Sequence, residues 1–172
     1  MKRIRYGVAM SLDGYIAGPN GEADWIVSDR EVNFAEIWAQ FDTLLMGRRT
    51  YDAAKARLGE TALQGVKTIV VSRTLRHTDH PQVTIFSDLN RDWIEELRAQ
   101  DGKDIWLFGG GELFRSMLDM REVDTVEVTI MPVLLGGGIA FLPSIAQQTK
   151  LKLSKHKVYR SGILSLVYEV QK

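Results

Sequence analysis

Short apolar runs separated by turn residues set the rhythm of this chain. Ile4 to Met10 is the first, a buried-strand pattern that enters the polar turn SLDG. Asp13-Gly14 and Gly18-Pro19-Asn20-Gly21 are turn chemistry. From Asp29 the spacing becomes helical: Val32, Phe34, Ile37, Trp38 and Phe41 recur on one face, and Ser28 or Asp29 can cap the start. Phe41 to Met46 predicts a short buried strand ending at Gly47, with a helix from Thr50 to Leu58 before Gly59. Lys67 to Ser72 and Val83 to Phe86 predict two further strands. Leu89 to Gln100 predicts an amphipathic helix with Asp88 as N-cap and Gly102 beyond its end. Ile105 to Phe108 predicts a strand that meets Gly109-Gly110-Gly111, and a helix from Glu112 to Leu118 follows. Thr125 to Val133 alternates as a strand, and Gly136-Gly137-Gly138 marks a loop. Leu151 to Tyr159 and Ile163 to Gln171 predict an antiparallel hairpin turning near Arg160-Ser161-Gly162. Strand and helix alternate for most of the length. The expected fold is therefore α/β, a central and mostly parallel sheet with helices on both faces and antiparallel C-terminal strands. With no repeat or linker, residues 1–172 read as a single domain.

Composition narrows the function classes. Lys plus Arg is 22 and Asp plus Glu is 22, so no basic surplus exists to neutralise a nucleic-acid backbone. The chain has no cysteine, which excludes disulfides, thiolate metal sites and cysteine nucleophiles. The basic start MKRIR is followed by no signal-type apolar core, because Ser11 and Asp13 interrupt it. No run approaches the length of a membrane helix. The expectation is a cytoplasmic protein with no nucleic-acid or membrane partner.

The chemistry gathers at strand-to-helix junctions. In MGRRTYD, Met46 to Asp52, a strand ends in Gly47 and opens a helix, so free backbone N–H groups can meet an anion. Arg48 and Arg49 add forked donors suited to phosphate, and Thr50 adds a hydroxyl. FGGGELF, Phe108 to Phe114, is a second such junction, whose glycines permit close approach to a pyrophosphate. Arg73 follows a strand's carboxyl end, where open α/β sheets bind ligands; it can meet a ribose 2′-phosphate there or be a solvated loop charge. His77 and His80 lie in the polar loop HTDHP with no evident third ligand, and read as solvated loop histidines; no metal is expected. Trp38, Trp93 and Trp106 read as core, while Trp25 follows the loop bordering the expected cleft.

SLDGYIAG, GEADWI, MGRRTYD, IVVSR, FGGGELF and VTIMPVLLGGGIAFLP occur in the order found in the dihydrofolate-reductase-like superfamily. Over about residues 4 to 170 the chain most resembles the C-terminal reductase domain of riboflavin biosynthesis and its stand-alone relatives. That resemblance implies a reductase in which NADPH lies across the sheet's carboxyl edge and hydride passes to a small heterocyclic, carbonyl or imine substrate, as in 5-amino-6-(5-phosphoribosylamino)uracil reductase. Carried over by motif, Gly47, Arg48, Arg49 and Thr50 form the adenine-side phosphate site, and Ser72 and Arg73 contact the 2′-phosphate. Gly109, Gly110, Gly111, Glu112 and Leu113 form the pyrophosphate turn, and Ala9 and Ile16 flank the nicotinamide. Asp13 of SLDG and Thr129 are the catalytic candidates, and Trp25 and Arg30 the substrate-binding ones, with Lys55 a weaker basic alternative. Folate reductases keep a carboxylate on the first helix; Asp24, Asp29 and Glu31 compete for that position, and none is singled out. Dihydrofolate reductase and a non-catalytic nucleotide-binding module stay open as alternatives.

The last segment bears on assembly. Along Ile163 to Val170, Leu164, Leu166, Tyr168 and Val170 share a wholly apolar face. A homodimer covering this strand at a sheet edge is expected, as relatives of the resembled family often pair through sheet edges or C-terminal strands.

Overall fold

The repeated strand–helix pattern folds in order. The computed structural model describes residues 1–59, 63, 65–144 and 147–171. Along the chain come β1 (Ile4–Ser11), β2 (Tyr15–Ala17), α1 (Phe34–Trp38), β3 (Phe41–Gly47), α2 (Arg48–Leu58), β4 (Lys67–Val71) and β5 (Thr84–Phe86). There follow α3 (Arg91–Ala99), β6 (Asp104–Gly109), α4 (Gly111–Asp119), β7 (Thr125–Met131), β8 (Ile139–Ala140), β9 (Leu151–Val158) and β10 (Leu164–Val170). Eight strands form one sheet in the order β5-β4-β3-β6-β1-β7-β10-β9. All pairs from β5 to β7 are parallel; β10 runs antiparallel to both β7 and β9. This is the dihydrofolate-reductase-like α/β arrangement.

Each sheet face has its own core. On one, Tyr6, Leu45, Leu107 and Val126 pack against Ile94 and Leu97 of α3 and Phe114 and Met117 of α4. On the other, Leu44, Met46 and Val70 pack against Tyr51 of α2, with Trp38 of α1 at the margin. Strand alternation makes this division, since neighbouring residues face opposite ways.

Several element limits differ from those the pattern predicts, each for a local reason. The helix expected from Asp29 is confined to α1. Asp29 instead closes a turn, its carboxylate accepting from Glu31 N at 2.7 Å and its carbonyl from Val32 N at 3.1 Å. Asn33 caps α1 by accepting from Glu36 N at 3.2 Å. Asn90, not Asp88, caps α3 by accepting from Trp93 N at 3.0 Å. Strand β7 stops at Met131 rather than Val133, because Pro132 has no N–H to continue the ladder. His80 is half-buried rather than solvated, its Nδ1 lying 3.2 Å from the Tyr51 hydroxyl.

Two features escaped the sequence pattern. β2 and β8 form a separate two-stranded ribbon, so the glycine loop at 136–138 folds back beside the first turn. There Gly138 has φ +144°, and a Cβ on it would lie 2.2 Å from Ala17 O, so only glycine fits. The C-terminal hairpin also inserts in the reverse sense: β10 lies inside the sheet between β7 and β9, and β9 is the edge. The premise that the 163–170 strand sits at an exposed edge is thus corrected.

Candidate active site

Three of the predicted phosphate-binding segments converge at the carboxyl edge of the sheet. Parallel register sets Met46 beside Gly109 and Gly47 beside Val71. Gly47, Ser72, Arg73, Glu112 and Leu113 consequently line one cleft, together with Ser87, Asp88 and Ser116. Thr50 of the first junction stands close to the second: a Cβ on Gly110 would lie 3.3 Å from its Oγ1. Gly109 has φ +116°, a conformation side chains rarely adopt, and the Gly109–Gly110 peptide is cis.

Helix capping separates this edge from the rest of the molecule. Helices α1 and α3 start with asparagine side chains bonded to their first-turn N–H groups. Helices α2 and α4 start at Gly47 and Gly110, with no side-chain cap. Their first-turn N–H groups and positive dipole ends remain available at the cleft. Arg49 and Arg73 are exposed, and neither has an ion-pair or hydrogen-bond partner among the described residues. The ring of Tyr6 is fully enclosed, stacked on Phe114 at 3.7 Å, and its hydroxyl has no partner among the described residues. Burial pushes that phenol well above its ordinary pKa. Uncapped helix ends, a glycine cradle and two unpaired guanidinium groups fit a dinucleotide carrying phosphates.

The other expected phosphate contacts are already engaged. Arg48 donates to Thr74 Oγ1 at 2.6 Å and pairs with Asp52 at 3.4 Å. Ser72 Oγ accepts from Thr74 N at 3.2 Å and Leu75 N at 3.1 Å, shaping the loop that carries Arg73. Glu112 pairs with Arg115 at 3.4 Å, and Leu113 belongs to the core.

Ala9 sits beside Thr129 on the sheet, and Ile16 lies in β2. Trp38 packs against Trp106 at 4.9 Å and Phe108 at 6.3 Å between ring centroids, forming an aromatic wall. Asp13 is held by three donors. Ser11 Oγ donates at 2.6 Å and Leu135 N at 3.1 Å to one oxygen, and Gly136 N donates at 2.7 Å to the other. The Ser11 bond foremost, with the backbone amides, holds its carboxyl below the usual carboxylate range. Trp25 donates from Nε1 to Glu22 O at 3.0 Å, and Arg30 is exposed without a partner among the described residues. Of the competing carboxylates, Asp29 is bonded by Ser161 and by Glu31 N, Glu31 lies 3.7 Å from Arg160, and Asp24 is exposed. None of the three belongs to α1, whose one acid is the exposed Glu36. Among the described residues no group of three or more His, Asp or Glu could hold a metal ion.

Comparison with known proteins places this geometry. A family model described as RibD C-terminal domain matches residues 2–165. YyaP of Bacillus subtilis (strain 168), an uncharacterized protein, is 30% identical over 178 residues, covering 97% of this chain and 94% of the relative. The crystal structure of a putative riboflavin biosynthesis protein from Shewanella sp. PV-4 superposes with a TM-score of 0.85, at 25% identity over the full length of both chains. Dihydrofolate reductase from Enterococcus faecalis, complexed with NADP(H), superposes with a TM-score of 0.72, at 17% identity over 99% of this chain and 97% of that one; this likeness concerns the fold.

Proposed function

The chain belongs to the RibD C-terminal domain family, and from that premise we propose that it is an NADPH-dependent reductase acting on a small carbonyl, imine or heterocyclic substrate. 5-Amino-6-(5-phosphoribosylamino)uracil is the first acceptor to test. The observation that carries this reading is the single cleft where Gly47, Arg73 and Leu113 meet between two uncapped helix N-termini.

When bound, NADPH supplies the hydride, and the chain supplies position and electrostatics. Arg73, Arg49 and the first-turn N–H groups of α2 and α4 would hold its phosphates. Thr50 would add its hydroxyl beside Gly110 at that junction. Ala9 and Ile16 would flank the nicotinamide, and the Trp38–Phe108 wall would keep water from one side of the acceptor. Asp13, ionised and held by three donors, fixes the 135–136 loop in place, and the proton that completes reduction would come from water. Arg30 and Trp25 approach the substrate from the 18–33 loop. The absence of a carboxylate facing the cleft from α1 favours this reading over folate reduction.

The test is to titrate NADPH and NADH, then follow NADPH consumption with 5-amino-6-(5-phosphoribosylamino)uracil and with dihydrofolate. Tighter NADPH binding with turnover of the first acceptor is expected. Equal affinity for the two cofactors overturns the phosphate assignment, and turnover of dihydrofolate alone overturns the substrate assignment.

The same reading includes a cytoplasmic homodimer. Register places Leu151, Leu153 and Val158 of β9 on one face with Val170, Tyr168 and Leu164 of β10. Those three β9 residues are exposed, an apolar sheet face that a second copy would cover. No helix among the described residues is long and apolar enough to cross a membrane. Light scattering is expected to give twice the 19.4 kDa chain mass.

A further inference from the structure

The two faces of β7 and β10 differ in a way the proposed chemistry has not used. Val126, Val128 and Tyr168 pack on the face that carries Phe114 and Met117 of α4. On the opposite face, Thr129 is directly paired with Ser165 across the two strands, and Ala9 stands beside Thr129 in β1. Ala9, Thr129 and Ser165 therefore form a row across three strands, beginning at the residue assigned to the nicotinamide. The helix-covered core of this face comprises Leu44, Met46, Val70 and Tyr51, with Trp38, Trp106 and Phe108 beside it, and includes no residue of β7 or β10. Ala9, Thr129 and Ser165 are small, and Lys157 of β9 stands beside Ser165 at the end of the row. Thr129 and Ser165 are both half-buried, and neither hydroxyl has a hydrogen-bond partner among the described residues. Directly opposed residues of an antiparallel pair have Cβ atoms about 4.5–5.5 Å apart. Two hydroxyls at that spacing can grip one oxygen, one donating and the other accepting.

We propose that Thr129 and Ser165 form a two-hydroxyl clamp that selects a substrate bearing a hydroxyl group on a chain beside the reacting carbon. The proposal rests on the reductase reading, which fixes the Ala9 end of the row as the site of hydride transfer. Ser165 is a specificity residue in this scheme. It acts on the substrate and not on the cofactor, because the β6–α4 junction lies on the far side of β1. A ligand with only an aryl ring at this position would leave both hydroxyls unpaired, the kind of mismatch that discriminates strongly between substrates.

The experiment uses Ser165→Val, Ser165→Thr, Thr129→Val and the Ser165→Val/Thr129→Val double variant, with 5-amino-6-(5-phosphoribosylamino)uracil as probe and NADPH affinity and thermal midpoint as controls. Ser165→Val is expected to raise KM roughly 2- to 13-fold, the effect of one neutral hydrogen bond. kcat, NADPH affinity and thermal midpoint should stay at their parent values, and Ser165→Thr should recover the KM. Because both hydroxyls grip one atom, the double variant should be little worse than either single one. An unchanged KM in Ser165→Val overturns the clamp while leaving the reductase reading intact. A loss of NADPH affinity in step with KM also overturns it, as the mark of a structural role. Parent protein that turns over dihydrofolate alone overturns it too, and parent protein that binds no NADPH and reduces neither acceptor overturns clamp and reductase reading together.

Discussion

The two ends of the central sheet carry similar kinds of charge and treat them oppositely. At the amino-terminal end, every cation named in the network has a carboxylate. Lys2 pairs with Asp42, Arg3 with Asp104, and Arg5 with Glu127 at 2.6 Å and Asp104 at 3.3 Å. Arg98, with a side chain 8% exposed, pairs with Glu122 at 3.2 Å and Asp124 at 2.8 Å. The Arg5 guanidinium shows the balance. Burial alone would lower its pKa, but the bonds to Glu127 and Asp104 outweigh that and raise it. At the carboxyl end, Arg49 and Arg73 have no such partner among the described residues, and the two nearest helices start without side-chain caps. A buried charge must be paired within the chain or it destabilises the fold. An exposed charge beside free N–H groups can wait for a ligand. One end therefore stabilises the molecule, and the other is available for binding.

Substitutions can break this contrast, beginning with the largest effect. Arg98→Met leaves Glu122 and Asp124 without their cation, so unfolding stability should fall by about 3–5 kcal/mol. Urea denaturation measures this; the protein that remains folded should bind NADPH as the parent does. Arg73→Ala reverses the pattern. Stability should stay within about 0.5 kcal/mol of the parent. NADPH affinity should fall roughly 10- to 150-fold, the loss of one charge-assisted bond, while NADH affinity is unchanged. If both cofactors weaken equally, Arg73 does not read the 2′-phosphate.

Gly110→Val sharpens the contrast at the backbone. The new Cβ would lie 3.3 Å from Thr50 Oγ1, so it crowds the junction that the proposal gives to the pyrophosphate. A weakening of NADPH binding worth about 1–3 kcal/mol is expected, by analogy with overpacked sites. Unchanged affinity in a folded variant would remove FGGGELF from the site. The smallest effect belongs to Asp13. Its folded pKa lies below the ordinary 3.8, so its hold on the 135–136 loop is fully present above that value. The hold is lost only as pH falls through the depressed folded pKa. Exchange of the Leu135 and Gly136 amide protons, corrected for intrinsic rates, should therefore be flat from neutral pH to about pH 5 and rise only under stronger acid. A rise near neutral pH would mean that another group holds the loop.

Much of the fold was legible in the chain because its signals are local. The β-branched run KTIVVS, the alternating TVEVTIM and the amphipathic spacing of Trp93, Ile94 and Leu97 each fix an element within a few residues. Boundaries were less legible where side chains compete for the same backbone groups. Asp29 forms a turn in place of a helix start, and Asn90 outcompetes Asp88 for the N-cap of α3. The glycine junctions were legible as uncapped helix starts, since a strand ending in glycine before a helix brings no side chain to cap the first N–H groups. Which neighbouring polar groups stay free was not legible. Arg48 and Arg49 are adjacent in sequence, yet only Arg48 is engaged, with Asp52 and Thr74.

The sequence by itself determined the order and type of the principal elements, the parallel character of the sheet, and the glycine starts of α2 and α4. These follow from periodicity and backbone chemistry acting over a few residues. The tertiary structure alone decided that β10 lies inside the sheet and β9 at its edge, and that Ser165 stands opposite Thr129. It also decided that the carboxylate of Asp13 accepts from Ser11, Leu135 and Gly136. The physical reason is range: strand register and the pairing of charges depend on contacts between residues far apart in the chain, and no local pattern encodes which distant partner arrives.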